Sequence, residues 1–128
     1  SYIKEKGTPS SVDDLRHHAL IANSQHDHLN VWPFKNTMPV HAKGPFSADN
    51  TAVVASMCMA GLGIARITSV VAEPLVAQGK LIHVLPDEID EAPIPLSAFM
   101  LAGRHRLPKI RACIDHWVEW LQNTPSTC

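Results

Sequence analysis

The chain has 128 residues, of which 45% are hydrophobic, and a net charge of −1 at neutral pH. It is long enough to bury one domain-sized core. It shows no clustered basic surface of the kind that nucleic acids attract, so direct DNA binding by this segment is not expected. No apolar run approaches the roughly 18–20 residues of a membrane span, and no basic stretch leads into an apolar one at the start. We therefore expect a protein that is neither embedded in a membrane nor exported.

The cysteines are an odd number at unrelated spacings: Cys58, Cys113 and Cys128. Cys58 and Cys113 fall within apolar helical patterns, where free cysteine usually behaves as a small buried hydrophobe. Disulfides are rare in reducing compartments, so this cysteine usage favours the cytoplasm.

Strand patterns alternate with helical ones in the first part of the chain, which is typical of an α/β protein. A short helix is predicted over residues 2–6 and ends at Gly7. Short strands are predicted over residues 19–22, 31–35 and 40–46.

The next helix is predicted over residues 50–60 and is apolar on nearly every face. We therefore expect it to be covered on both sides, either as core or as an interface. Gly61 and Gly63 should end it, because glycine tolerates the left-handed conformation of a helix terminus. A strand is predicted to follow over residues 64–67.

A helix over residues 69–78, interrupted at Pro74, and a strand over 81–85 complete this region. Residues 87–95 form an acidic, proline-bounded stretch, which is the best candidate for a subdomain boundary. A strand over 96–102 then precedes a helix in which apolar residues recur at spacings of three and four: Leu107, Ile110, Ile114, Trp117 and Leu121. That helix needs a partner surface.

Polar residues gather just before and at the start of the helix over 50–60: Ser47, Asp49, Asn50 and Thr51. They can cap the helix, or they can present a hydroxyl, carboxylate or amide to a ligand beside the unpaired first-turn amides. From the residues alone, a plain helix cap is the commoner role of such a cluster.

Eight histidines suggest a metal site, chiefly His17 with His18 and His26 with His28. A stable zinc site needs further ligands in a tetrahedral arrangement, and no complementary spacing is present in the sequence. Solvated loop histidines are the preferred interpretation, and no metal or other cofactor is predicted.

Catalytic motifs are also missing. Ser47 lies outside a Gly-x-Ser-x-Gly turn, and no serine or cysteine has a recognisable base and orienting group. Gly61 and Gly63 follow a helix rather than open one, and Arg66 occupies the place of the third glycine of a dinucleotide-binding loop. The sequence therefore predicts neither catalytic residues nor an enzyme.

The ordered set of segments resembles the effector-binding domain of LysR-type transcriptional regulators. The segments that carry this resemblance are SYIKEKGTP at 1–9, DDLRHH at 13–18, FSADNTAVVASMCMAGLGIARIT at 46–68, VAEPL at 71–75, GKL at 79–81 and HRLPKIR at 105–111. The resemblance implies an α/β, periplasmic-binding-protein-like (type 2) fold. Residues 1–90 would form the second regulatory subdomain, and residues 91–128 the hinge and the strand and helix that return to the first subdomain.

In that family the effector lies in a cleft between two subdomains. The resemblance therefore assigns one wall to Ser47, Ala48 and Asp49, and the opposite wall of this half-site to Gly63, Ile64 and Ala65. Arg66 could pair with an effector carboxylate, because a guanidinium matches a carboxylate in bidentate geometry. An ion pair between Arg66 and Asp49, or another surface acid, is the competing interpretation.

The resemblance further implies a bacterial regulator in which a small-molecule effector, expected to be a carboxylate or another anion, controls transcription. A homo-oligomer, dimer or tetramer, would contact DNA only through an N-terminal domain that precedes Ser1. The chain would then be a fragment of a cytoplasmic protein without membrane contact. A solute-binding protein of a transport system, which shares the fold, is the leading alternative.

Overall fold

The computed structural model describes residues 2–90, 97, 99, 101 and 107–123. Backbone contacts divide the chain into two compact units, Ser1–Glu91 and Ala92–Cys128. The assignment of residues 1–90 and 91–128 to two regulatory subdomains stays a prediction.

The first helix, α1 (Tyr2–Lys6), ends as the sequence predicts. Gly7 has a φ of +83°, and its N–H donates to the Ile3 carbonyl at 2.9 Å. The Tyr2 hydroxyl accepts from the Ala19 N–H at 2.7 Å, so α1 is tied to the start of the segment on which the sheet is built.

A central extended segment, residues 19–24, carries hydrogen bonds on both sides. On one side, Ile21 N–H donates to the Ile64 carbonyl at 2.8 Å, and Ile64 N–H donates to the Ala19 carbonyl at 2.9 Å. On the other, β1 (Ala22–Asn23) pairs in parallel with β4 (Ser47–Ala48). Three extended segments therefore run side by side in one direction, with residues 19–24 in the middle.

A second pair, β2 (Val31–Trp32) and β3 (Val40–His41), is antiparallel. Much of the core lies between these strands and the central segment, where one cluster contains Val12, Leu15, Leu20, Trp32, Ala42 and Ile64. The strands predicted over 31–35 and 40–46 are present as β2 and β3, each two residues long. The strand predicted over 19–22 overlaps β1 only at Ala22, and β4 follows directly after the strand predicted over 40–46.

The apolar helix predicted over 50–60 is α2 (Thr51–Met59). Val54 and Ala55 are buried, whereas Val53 and Met59 are 45% and 42% exposed. Within the described residues, α2 is therefore covered on one side only. Of the two expected roles of this helix, a fully covered core position is wrong, and an interface stays a prediction. The helix ends at Met59, and Gly61, two residues later, has a φ of +77°.

Three sequence predictions beyond α2 need correction. Helix α3 (Ser69–Ala77) continues through Pro74 instead of breaking there. Residues 64–67 form one isolated parallel bridge, between Leu20 and Ile64, rather than a strand. Residues 81–85 are not a strand, because the chain turns back onto α3: Lys80 and Leu81 both donate to the Leu75 carbonyl, at 2.9 and 3.3 Å.

The second unit contains α4 (Pro108–Asn123), which confirms the predicted closing helix. Ile110 and Ile114 are half-buried, while Trp117 is 62% exposed. The predicted strand over 96–102 lies largely outside the described residues. Among the helices of the described ranges, none is long and apolar enough to cross a membrane.

Gly63 provides a test of the packing around the central segment. A Cβ added at Gly63 would collide with the Ala19 carbonyl oxygen, whereas a Cβ at Gly79 would meet nothing within 4 Å. Gly63→Ala should therefore lower the free energy of unfolding by about 1–3 kcal/mol through overpacking and backbone shift. Gly79→Ala should lower the free energy of unfolding by about 1 kcal/mol, because an alanine there must adopt a left-handed backbone but meets no other atom. Urea unfolding measures both; an equal or smaller loss for Gly63→Ala would contradict this packing.

Candidate functional site

The carboxyl ends of the three parallel segments meet at one edge of the sheet. We name the residues there, 23–25, 47–50 and 65–66, the carboxyl edge. Open α/β sheets bind ligands outside the carboxyl ends of their strands, because loops and helix N-termini converge there. Here the N-terminus of α2 follows β4 directly, after Asp49 and Asn50.

Ser47 and Ala48 form β4, and they differ in exposure. Ala48 is buried and Ser47 is exposed. The amides of Ala22 and Ser24 donate to the carbonyls of Phe46 and Ala48, both at 3.1 Å. Since peptide groups alternate along a strand, the N–H and C=O of Ser47 point away from β1. No named strand of the described residues pairs with that side of β4, so Ser47 offers both its hydroxyl and its peptide group.

Asn50, rather than Asp49, caps α2. The Asn50 side-chain oxygen accepts from Ala52 N–H at 2.8 Å and from Val53 N–H at 3.4 Å. Asp49 is exposed, and one of its carboxylate oxygens accepts from Gln25 Nε2 at 3.1 Å. The sequence left open whether Asp49 caps the helix; in the structure its carboxylate is bonded across to the end of β1 instead.

The resemblance assigns the opposite wall of the half-site to Gly63, Ile64 and Ala65. Ile64 pairs with Leu20, before the end of the central segment, so of these three residues only Ala65 lies at the carboxyl edge. Gly63 and Ile64 are buried, and Ala65 is half-buried. The N–H and the C=O of Ile64 are both hydrogen bonded to the central segment. Because peptide groups alternate along an extended chain, those of Gly63 and Ala65 point away from that segment. A ligand on this side would meet backbone rather than side chains.

Arg66 follows these residues and is exposed. No carboxylate of the described part of the chain lies within 4.0 Å of its guanidinium. The competing interpretation, an ion pair with Asp49, is therefore not present in the structure. The cationic group remains open to a ligand.

Sequence reasoning missed Gln25 and the residues that hold it. Asn23 Oδ1 accepts from Gln25 N–H at 2.9 Å and from His26 N–H at 2.7 Å. Asn23 is itself held by Asn30, which is only 7% exposed and whose Oδ1 accepts from Asn23 N–H at 2.6 Å. The available signal was the polar run Asn23-Ser24-Gln25 directly after the apolar segment 19–22.

The histidine-rich loop does not gather metal ligands. In the described ranges no group of three or more histidine, cysteine, aspartate or glutamate side chains could hold a metal ion. His26 and His28 have ring centroids 5.6 Å apart, and His41 Nε2 lies 3.1 Å from Asp27 Oδ1. Hydrogen bonds from Asn30 and His41 lower the pKa of Asp27.

Two other features lie apart from the carboxyl edge. Burial raises the pKa of the Cys58 thiol to about 11, so this sulfur is not a thiolate nucleophile at neutral pH. A shallow depression of about 240 Å³ is lined by Ser10, Ser11, Val12, Asp13, Thr37 and Glu88. None of its lining residues belongs to the carboxyl edge.

Comparison with protein families identifies the chain. The family model described as LysR substrate binding domain matches residues 2–122. The chain belongs to this family. The periplasmic-binding-protein-like α/β fold expected from the sequence is thereby confirmed.

Similar proteins carry names of transcriptional regulators. HTH-type transcriptional regulator CrgA of Neisseria meningitidis serogroup C (strain 8013) is 27% identical over 124 residues, which are 95% of this chain and 42% of CrgA. HTH-type transcriptional activator TtdR of Escherichia coli K12 is 25% identical and covers 94% of this chain and 40% of its own length. The chain thus spans less than half of either relative.

A solved structure shows the same fold. The structure of the CrgA regulatory domain, from a LysR-type transcriptional regulator of Neisseria meningitidis, matches with a TM-score of 0.86 at 25% identity and covers 92% of this chain and 59% of that one. These comparisons favour a regulator over a solute-binding protein of a transport system.

The two neighbours Asp49 and Asn50 can be separated by their effects on stability. Asn50→Ala removes the side-chain cap of α2 and should lower the free energy of unfolding by about 1 kcal/mol. Asp49→Ala removes a favourable charge near the helix N-terminus and one exposed hydrogen bond from Gln25, and it should lower the free energy of unfolding by about 0.5 kcal/mol, less in high salt. Urea unfolding at two salt concentrations measures both changes. If Asp49→Ala lost more stability than Asn50→Ala, the assignment of the helix cap to Asn50 would be wrong.

Proposed function

We propose that the chain is part of the small-molecule effector-binding domain of a bacterial LysR-type transcriptional regulator. Membership of the LysR substrate binding domain family over residues 2–122 supports this function, as do the names of its relatives. The observation that carries the proposed site is the convergence of three parallel segments and the N-terminus of α2 at the carboxyl edge.

The proposed effector contacts are residues on both sides of the central segment. Neighbouring parallel strands lie about 4.8 Å apart, so two segments that flank a third are separated by about 10 Å. That spacing suits a small molecule lying across the end of the central segment. The contacts are Ser47, Ala48, Asp49, Gly63, Ile64, Ala65 and Arg66.

The proposed mechanism is a population shift. An effector that binds one arrangement of the regulator more tightly than another moves the equilibrium toward the first, and equal affinity for both would move nothing. DNA contact belongs to another part of the longer protein, since this segment has a net charge of −1. The effector thus controls how an oligomer presents its DNA-binding domains.

The remaining features of the proposed protein follow from this function. It is not an enzyme, uses no cofactor and works in the cytoplasm as a homo-oligomer. Residues 1–90 are the second regulatory subdomain, and residues 91–128 the hinge and the return to the first. The guanidinium of Arg66, which has no carboxylate within 4.0 Å among the described residues, supports a carboxylate or another anion as effector.

A ligand screen on the full-length protein tests effector binding. Thermal unfolding is measured with small carboxylates, aromatic acids, amino acids and inorganic anions. An effector at 100 times its dissociation constant stabilises the folded state by about 2.7 kcal/mol, which raises the melting temperature clearly. Ser47→Ala should weaken that effect, because it removes the exposed hydroxyl of β4.

Ser56→Ala is the matched control. Ser56 is exposed on the body of α2, and its hydroxyl donates only to the Ala52 carbonyl at 2.9 Å. The control should bind the effector like the unaltered protein. An effector that binds both variants as tightly as the unaltered protein would contradict the proposed role of Ser47. If none of the tested compounds raised the melting temperature, the proposal that the effector belongs to these chemical classes would be wrong.

Val53 tests the contribution of α2 to assembly. Its side chain is 45% exposed on an apolar helix, so Val53→Glu should reduce the oligomer without unfolding the domain. Analytical ultracentrifugation and thermal unfolding are measured together. A variant that unfolds would instead mark this face of α2 as core, and a stable variant with unchanged assembly would remove α2 from the interface.

A further inference from the structure

A side-chain hydrogen bond joins two strand ends at the carboxyl edge. Gln25 Nε2 donates to Asp49 Oδ2 at 3.1 Å, although the two residues are 24 positions apart and both are exposed. Gln25 follows β1, and Asp49 follows β4. The bond therefore fixes a carboxylate at the place where the central segment meets its neighbour.

Gln25 is held by a chain of bonds that begins in the interior. Asn30 is buried, and it both accepts from the Asn23 N–H at 2.6 Å and donates to the Asn23 carbonyl at 3.0 Å. The Asn23 side chain in turn accepts from the Gln25 N–H at 2.9 Å. The backbone of this exposed glutamine is thus held by a buried amide two steps away.

The charge of Asp49 is not neutralised within the described residues. No lysine, arginine or histidine nitrogen of the described ranges lies within 4.0 Å of its carboxylate. Helix capping, which could have occupied the side chain, is performed by Asn50. A carboxylate has about four acceptor positions, and the neutral Gln25 amide fills one of them. The remaining positions can accept from a ligand.

We infer that Asp49 determines effector specificity and that Gln25 is its positioning residue, so that the effector is a carboxylic acid bearing a hydrogen-bond donor, a hydroxyl or an ammonium group, that faces Asp49. This inference rests on the proposed function. The effector's acid group is recognised elsewhere on the edge. A plain acid without a donor would shield the Asp49 carboxylate from water and leave Gln25 as its one hydrogen-bond donor among the described residues.

The test compares acids that differ in one substituent. Full-length protein is titrated calorimetrically with propanoate, lactate and alanine, and with 3-phenylpropanoate, phenyllactate and phenylalanine. Within each set the carbon skeleton is constant, and the second carbon carries hydrogen, hydroxyl or ammonium. A hydrogen bond to a charged group corresponds to roughly tenfold or more in affinity. The substituted acid should therefore bind about tenfold or more tightly than the unsubstituted one.

Variants then assign the preference to its residues. Asp49→Ala should bring the affinity ratio of substituted to unsubstituted acid to about 1. Gln25→Leu should lower the ratio in the unaltered background and leave it unchanged in the Asp49→Ala background, because it acts through Asp49. A merely structural role of Gln25 would weaken all acids alike. Gln78→Leu, an exposed glutamine at the end of α3, is the control and should leave the ratio unchanged.

Asp49→Asn distinguishes the two possible donor groups of the effector, a hydroxyl and an ammonium group. An amide oxygen accepts from a hydroxyl or an ammonium group but carries no charge, so this variant should lower both preferences, and lower that for alanine or phenylalanine more than that for lactate or phenyllactate.

Equal binding of plain and substituted acids, or a preference that survives Asp49→Ala, would overturn the inference and leave effector binding intact. Absence of binding by every acid to a folded protein would contradict the proposed function as well.

Discussion

The structure depends on the central segment, residues 19–24, being hydrogen bonded from both sides. Alternate amides serve opposite neighbours: Ile21 donates toward Ile64, and Ala22 toward Phe46. Glycine is required at two positions where the backbone approaches this segment closely. A Cβ at Gly44 would collide with the Leu20 carbonyl, and a Cβ at Gly63 would collide with the Ala19 carbonyl. These contacts set the three carboxyl ends side by side, and without that arrangement the polar residues around Ser47 would only cap a helix.

Burial decides how the two sides of the candidate site can act. On the β4 side, Ser47 and Asp49 expose side chains, whereas on the other side Gly63 and Ile64 are buried and offer backbone. Arg66 adds a cation without a described carboxylate partner. An anionic group and a cationic group thus border one edge without neutralising each other, which is suited to a ligand that carries both an acid and a donor.

Much of this fold was predictable from local patterns. Helices α1, α2 and α4 follow from apolar spacing and from terminating glycines such as Gly7 and Gly61. The resemblance to LysR-type regulators, carried by ordered segments, predicted the fold that the family match confirmed. The strand over 81–85 failed because its pattern could not reveal that residues 80 and 81 bond back to Leu75. Gln25 was missed because its role arises from a cross-strand bond over 24 positions.

The central claim is that a small effector binds at the carboxyl edge. Hydrogen–deuterium exchange of the full-length protein, with and without an effector found by ligand screening, tests it most directly, because unpaired peptide groups such as those of Ser47 and Ala65 exchange rapidly until they are covered. The account predicts slower exchange in peptides covering residues 23–25, 47–52 and 63–66, and unchanged exchange at residues 10–13, which line the shallow depression. Protection at residues 10–13 with none at the carboxyl edge would contradict it.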